Sequence, residues 1–188
     1  MKKIILLLSV VFLSTTALQA QDSNFYLGLG VGYATASGDV EDVESGINLK
    51  FIDMGYRFNE SWGITAGLMS SGHSVEDYDA DELAVGVASF AIGPMYTVPL
   101  GNASWDIKPQ ISLSYKAVED GDYAIDGDYS GSSFIIGNSF VFGSGKGIAW
   151  SIDVDYRMGK IKEWDGNDLS EDLDLNNLMI GAGLRYNF

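Results

Sequence analysis

The chain has 188 residues, no cysteine, and 26 acidic against 11 basic side chains, a formal net charge of −15 at pH 7. That balance excludes nucleic-acid binding, because neutralising phosphate takes an excess of Lys and Arg. Without cysteine there is no disulfide framework, so an exported fold must hold together by other means.

Met1-Lys2-Lys3 is a short basic head, residues 4–13 are apolar apart from Ser9, and small and polar residues follow up to Ala20-Gln21. This three-part pattern predicts a secretory signal peptide over 1–20 and a mature domain over 21–188. The apolar core falls short of the ~20 residues that a spanning helix requires, which disfavours an uncleaved anchor. Cleavage is placed after Ala20, with Ala17 as the alternative, and no Cys follows to make a lipoprotein. Loss of Lys2 and Lys3 leaves nine basic residues and a net charge of −17.

Eight strands are predicted in the mature part, over about 25–37, 46–59, 62–74, 83–100, 104–117, 132–142, 148–160 and 175–188. Most exceed the five or six residues usual in soluble strands and match the ~9–11 residues of a tilted membrane-spanning strand plus overhang. The fifth alternates Trp105, Ile107, Pro109, Ile111, Leu113 and Tyr115 with Asp106, Lys108, Gln110, Ser112, Ser114 and Lys116. The seventh alternates Ile148, Trp150, Ile152, Val154, Tyr156 and Met158 with Ala149, Ser151, Asp153, Asp155, Arg157 and Gly159. A period of two with one apolar face marks a strand. Residues 83–100 carry no charge over 18 positions, long enough for a helix, but Gly86, Gly93, Pro94 and Pro99 suit a helix interior poorly. A strand is expected there, with the lipid-facing parity of 83–88 left open.

Alternation alone does not say which face points inward; a secreted soluble barrel would put its apolar face inside. Connection lengths decide. Tight turns fall near Asn59-Glu60-Ser61, Gly101-Asn102-Ala103 and residues 143–147, and longer loops join the other pairs. Strict alternation of short and long connections, with an even strand count, is the pattern of outer-membrane barrels. The four long connections hold 20 of the 26 acidic residues, so one end is strongly acidic.

The opening strand Phe25-Tyr26-Leu27-Gly28-Leu29-Gly30-Val31-Gly32-Tyr33 and the closing strand ending at Phe188 resemble those of the small eight-stranded outer-membrane barrels, the OmpA transmembrane-domain and OmpX group. The resemblance implies an all-β, eight-stranded, antiparallel up-and-down transmembrane barrel in the cell outer membrane. It also implies that Ile180, Ala182, Leu184, Tyr186 and Phe188 form the signal read by the barrel-assembly machinery. It speaks to fold and place more than to activity, since function lives in sites grafted on folds.

By parity, Asp53, Arg57, Asp106, Lys108, Asp153, Asp155, Arg157 and Arg185 face the barrel interior, where charges must pair. They read as a structural network in preference to a conducting lumen, because an eight-stranded barrel is filled by side chains. Gly28, Gly30, Gly32, Gly181 and Gly183 leave space beside the long arginines where the first and last strands meet.

His73 is the single histidine, and Gly72-His73-Ser74-Val75-Glu76 offers the residue types of a lipid-A-modifying enzyme. Adjacent strand residues point to opposite faces, so His73 and Ser74 should diverge, and no catalytic residue is assigned. Asp120-Gly121-Asp122 and Asp165-Gly166-Asn167-Asp168 begin like calcium loops, but an apolar residue stands at the fifth position of each. No metal site and no cofactor are expected. Loop carboxylates sharing divalent cations with lipopolysaccharide phosphates weigh evenly against a merely solvated collar.

Trp62, Trp105, Trp150 and Tyr186 should form one interfacial band; Tyr33, Tyr78, Tyr115, Phe134 and Trp164 should form the other. Tyr78, Tyr123, Tyr129 and Trp164 could instead serve an adhesin. The expected role is a monomeric, non-enzymatic structural or surface-interaction protein, with outer-membrane lipid, lipopolysaccharide and the assembly machinery as partners. A lipid-A-modifying enzyme and a narrow channel are the rivals.

Overall fold

The computed structural model describes residues 24–39, 43–75, 85–119, 127–143 and 145–188. The signal-peptide reading and its cleavage site lie outside them, as do Glu76 to Glu82, the Asp120 loop, Tyr78 and Tyr123. Eight strands follow in order: β1 (Phe25–Gly38), β2 (Val43–Arg57), β3 (Trp62–Val75), β4 (Val85–Leu100), β5 (Ala103–Glu119), β6 (Gly127–Phe142), β7 (Gly147–Trp164) and β8 (Asn167–Asn187). Each pairs antiparallel with its neighbours, and β1 pairs with β8 to close the barrel. Closure leaves no unpaired edge around the wall, which a strand structure needs inside hydrocarbon.

The apolar residues stand outside. Leu29, Val31, Ile47, Phe51, Ile111, Leu113, Ile148, Ile180 and Leu184 are all exposed, while Asp106 and Arg157 are wholly buried. This inverts a soluble barrel and fits lipid around the wall. At the short-turn end, Trp62 packs on Tyr96, Trp105 on Phe140, Trp150 on Phe142 and Tyr186 on Phe188, with centroids 4.5–5.5 Å apart. Such amphipathic rings settle at a headgroup boundary. Tyr33 and Trp164 are exposed towards the other end.

The unsettled parity of β4 resolves as Val87, Ser89, Ala91, Met95 and Thr97 buried, with Ala88 exposed. The strand keeps one alternation throughout, and its inner face is simply apolar at Val87, Ala91 and Met95.

Two connections expected to be long depart from the strict alternation: residues 39–42 part β1 from β2, as few as the 58–61 turn between β2 and β3, and the connection between β7 and β8 is shorter still. A long loop was expected across 161–174; instead β7 and β8 run on as a hairpin closed by the two residues Asp165-Gly166. Both have positive φ, 47° and 77°, as a type I′ turn demands, and Asp-Gly is a sequence suited to it. β1 accompanies β8 only as far as Gly38↔Leu175. The hairpin therefore stands beyond the rim on that side, carrying exposed Glu163, Asp165, Asp168, Glu171 and Asp172.

Candidate functional site

The interior is built in layers, because inward residues of neighbouring strands meet at heights set by the register. The layer nearest the short turns centres on Asp106. Its carboxylate accepts from Arg185 Nη1 at 2.7 Å, Thr97 Oγ1 at 2.7 Å, and Arg57 Nη2 at 3.2 and 3.3 Å. The Arg185 guanidinium lies 4.4 Å from the centroid of the Tyr26 ring, and Arg57 lies 5.8 Å from it. Tyr26 takes that place because Gly55 stands beneath it: a β-carbon there would overlap the ring. Its hydroxyl donates to Asp53 Oδ1 at 3.3 Å.

Above this, Lys108 Nζ pairs with Asp53 Oδ2 at 3.3 Å, and Lys50 Nζ bridges Asp155 at 2.6 Å and Asp153 at 3.1 Å. Asp155 Oδ1 also accepts from the Asn138 backbone N–H. Glycine makes room for these long chains. Gly28 sits opposite Arg185, Gly30 opposite Gly183 and Gly32 opposite Gly181. A β-carbon on Gly183 would come within 2.6 Å of Ser151 Oγ. A void of about 10 Å³ beside Lys50, Asp153 and Asp155 has room for a single water.

An apolar layer follows, of Ala34, Met69, Ala91, Ile135 and Met179, all buried. Beyond it lies a second polar layer. Arg157 donates to Asn177 Oδ1 at 2.9 and 3.0 Å, Ser71 Oγ at 3.0 Å and Ser89 Oγ at 3.1 Å. His73 Nε2 stands 3.1 Å from Ser71 Oγ, and its Nδ1 stands 3.1 Å from the Glu44 carbonyl. A final apolar group, Val87, Ile161 and Leu175, covers these, with Ala36, Val43, Tyr129, Leu169 and Leu173 packed on it. The order is plain along β8, whose buried residues run Asn187, Arg185, Met179, Asn177, Leu175 from the short-turn end outwards.

All eight charged residues predicted to face inward are in this interior. Asp53 and Arg57 are the least enclosed, with side chains 14 % and 17 % exposed. Two bottom and middle clusters gather seven of them, and Arg157 stands apart in the upper layer. Lys50 escaped the parity argument for a definite reason. Counting back from Asp53 by twos puts Phe51 inside and Lys50 outside. A register shift between Lys50 and Ile52 against β3 inserts one residue, and the alternation reverses. Phe51 then faces out, and Asn48 and Lys50 face in. Tyr26 shares the parity of Gly28, Gly30 and Gly32 and is buried, but nothing in the sequence marks it as the arginine platform. Asn177 carried no signal in the sequence beyond its parity.

His73 and Ser74 diverge as expected: His73 is buried, and Ser74 Oγ donates to Glu44 Oε2 at 2.8 Å. The side-chain partners of His73 are Ser71, two residues back on the same face, and Asn177, whose Nδ2 lies 3.4 Å from Nε2. Among the described residues no group of three or more His, Asp or Glu side chains is placed to hold a metal ion. On the hairpin, Lys160 Nζ donates to Asp174 Oδ1 at 2.8 Å, and that bond holds the exposed ammonium above its usual pKa.

The chain is similar to two solved barrels over nearly their whole length. The structure of Neisserial surface protein A (NspA) superposes with a TM-score of 0.64 at 16% identity, covering 88% of this chain and 98% of that one. Ail of Yersinia pestis, in complex with the heparin analogue sucrose octasulfate, gives 0.53 at 19% identity, covering 88% and 100%. These identities speak to the fold alone. No curated protein matches. The model of the outer membrane protein beta-barrel domain matches residues 5–188, and this eight-stranded chain belongs to that family.

Proposed function

We propose that this protein is a non-enzymatic outer-membrane barrel that works through its acidic loop end, as a surface-interaction or structural element. The observation that carries this reading is the closed lumen. Two apolar layers interrupt the polar column, one around Met69, Ile135 and Met179 and one around Val87, Ile161 and Leu175. An ion crossing them would lose its water without gaining a ligand. This weighs against a conduit. The Ser71–His73 pair lies between the same layers, with Ser71 2% and His73 0% exposed. A nucleophile must meet its substrate, so the pair acts as a hydrogen-bonded prop for Arg157. This weighs against a lipid-A-modifying enzyme.

Charge narrows the partner. Ail has been solved with a sulfated sugar, a polyanion. Here 20 of 26 acidic residues belong to the loop end, and a polyanion would be repelled. A cationic partner fits: a basic protein surface, or divalent cations shared with lipopolysaccharide phosphates. The terminal strand from Ile180 to Phe188 serves the assembly machinery. Phe188 N–H donates to the Phe25 carbonyl at 3.0 Å, and its ring packs 5.4 Å from Phe25, so strand pairing there completes closure.

Cells displaying the full chain should adhere to polylysine-coated beads and not to heparin-coated ones. Replacing Glu163, Asp168, Glu171 and Asp172 by Asn or Gln should weaken that adhesion. Adhesion to heparin, or indifference to the replacements, would sink the reading. Chelation with EDTA separates the two cationic partners: cation bridging is lost and protein binding persists.

A further inference from the structure

β4 and β5 each carry a proline in mid-strand, Pro94 and Pro109, and the two meet across one seam. Pairing between β4 and β5 holds as far as Ile92↔Ile111 and resumes at Tyr96↔Ile107, with no partners recorded between. On the outer sides nothing is lost, for Ile64↔Pro94 and Pro109↔Ile136 both pair. Proline has no N–H to donate, and a strand residue turns its polar groups towards one neighbour. Both missing donors therefore fall on the β4–β5 seam.

The outer surface is notched at the same place. Along β4 the outward residues run Ile92, Pro94, Tyr96, and along β5 they run Ile107, Pro109, Ile111. Two short rings thus sit side by side between longer chains. The notch measures about 610 Å³ and is lined by Phe58, Ile64, Pro94, Pro109, Ile111 and Phe134, with Gly93 at its floor. A β-carbon at Gly93 would overlap the Pro109 carbonyl, so the strands close here and the notch does not open into the lumen. Its wall is continuous with the apolar belt that faces lipid. Phe58 and Ile64 adjoin the β2–β3 turn, and Pro94 and Pro109 stand about six residues from the β4–β5 turn, so the notch opens from the short-turn half of the wall; Phe134, expected in the band at the loop end, lines it instead.

We propose that this notch is a binding site for one acyl chain of a phospholipid from the periplasmic leaflet. The occupant follows from position and chemistry. The notch is apolar, belongs to the lipid-facing wall, and opens in the leaflet away from the acidic end and its lipopolysaccharide. A void beside a wall loses dispersion contacts that a seated chain restores. A chain held there exchanges more slowly than those against the wall of β7 at Val154, a position clear of a second, smaller outer notch of about 500 Å³ beside Leu29, Leu49, Ala182 and Leu184.

The test uses the full chain in bilayers of phosphatidylcholine brominated at mid-chain. Because the protein lacks Cys, Ile111→Cys and, on β7, Val154→Cys can each carry one bimane fluorophore. Quenching at position 111 should half-saturate at a roughly tenfold lower fraction of brominated lipid than at 154. Native mass spectrometry should find one phospholipid kept by the wild type after the others are stripped. Ile64→Trp, which fills the notch, should keep none; Val154→Trp should keep it. Heat-dependent gel mobility confirms that each variant is folded. Equal quenching at the two positions, retention by Ile64→Trp, or preferential retention of lipopolysaccharide would overturn the proposal.

Discussion

Replacing Asp106 with Ala tests whether the lumen is held by paired charge. The carboxylate takes four hydrogen bonds, from Arg185, Thr97 and, twice, Arg57. Its removal strands two guanidiniums in a place where water is scarce. Breaking a buried pair by taking one partner costs about 3–5 kcal/mol. Arg57 is 17% exposed and keeps Thr97, so part of its loss is made good by solvent. Arg185, 4% exposed, keeps chiefly the face of Tyr26, a contact of about 2 kcal/mol when desolvated. The lower part of the range, about 3 kcal/mol, is therefore expected, a large share of the ~5–15 kcal/mol that holds a typical domain folded.

Asp106→Asn should cost nearly as much, since it keeps the shape and loses the charge. Arg185→Ala should cost more than Arg57→Ala. A double-mutant cycle between Asp106 and Arg185 should give a coupling of about 1.5–3 kcal/mol. The assay is urea unfolding in phospholipid vesicles, followed by tryptophan fluorescence. A cost below about 1 kcal/mol for Asp106→Ala, or a coupling near zero, would mean that the lumen charges are solvated, and the account of the interior would fail.

Gly55→Ala should destabilise by about 1–3 kcal/mol, because its methyl meets the Tyr26 ring, whereas Gly67→Ala, with 3.3 Å to the nearest atom, should be mild in the same assay. In planar bilayers the protein should show no steady conductance steps, and discrete steps from the wild type would refute the role given to the apolar layers. His73→Ala should leave the cell's lipid A profile unchanged; an altered profile would return the enzyme to consideration. Deleting Phe188 should lower the amount inserted in cells while refolding into detergent proceeds, and wild-type levels in cells would refute the assembly tag.

The sequence by itself determined the barrel. A period of two over eight stretches, with Asp, Lys and Arg on one parity and Leu, Ile and Trp on the other, admits few other solutions. Turn lengths did not tell lipid from core, since β7 and β8 meet in a two-residue turn and only residues 39–42 part β1 from β2; the exposed apolar wall around buried charge did. The inward-facing charges were legible for the same reason, since parity is a local property. What fails locally is any residue beyond a register shift, and Lys50 lies beyond one because the extra residue at Phe51–Ile52 reverses the alternation. Asp165-Gly166 had the chemistry of a hairpin turn, yet the acidic flanks read as loop, and only pairing across β7 and β8 made them strand.

The layers of the lumen were beyond the reach of sequence. Parity says that Met69, Ile135 and Met179 point inward; it does not say that they share a height. Height depends on how far each strand is staggered against the next, a sum over eight registers that only the closed barrel settles. That stagger parts the Arg157 cluster from the Asp106 cluster with a layer of apolar side chains. It turns a column of charges into polar layers parted by apolar ones.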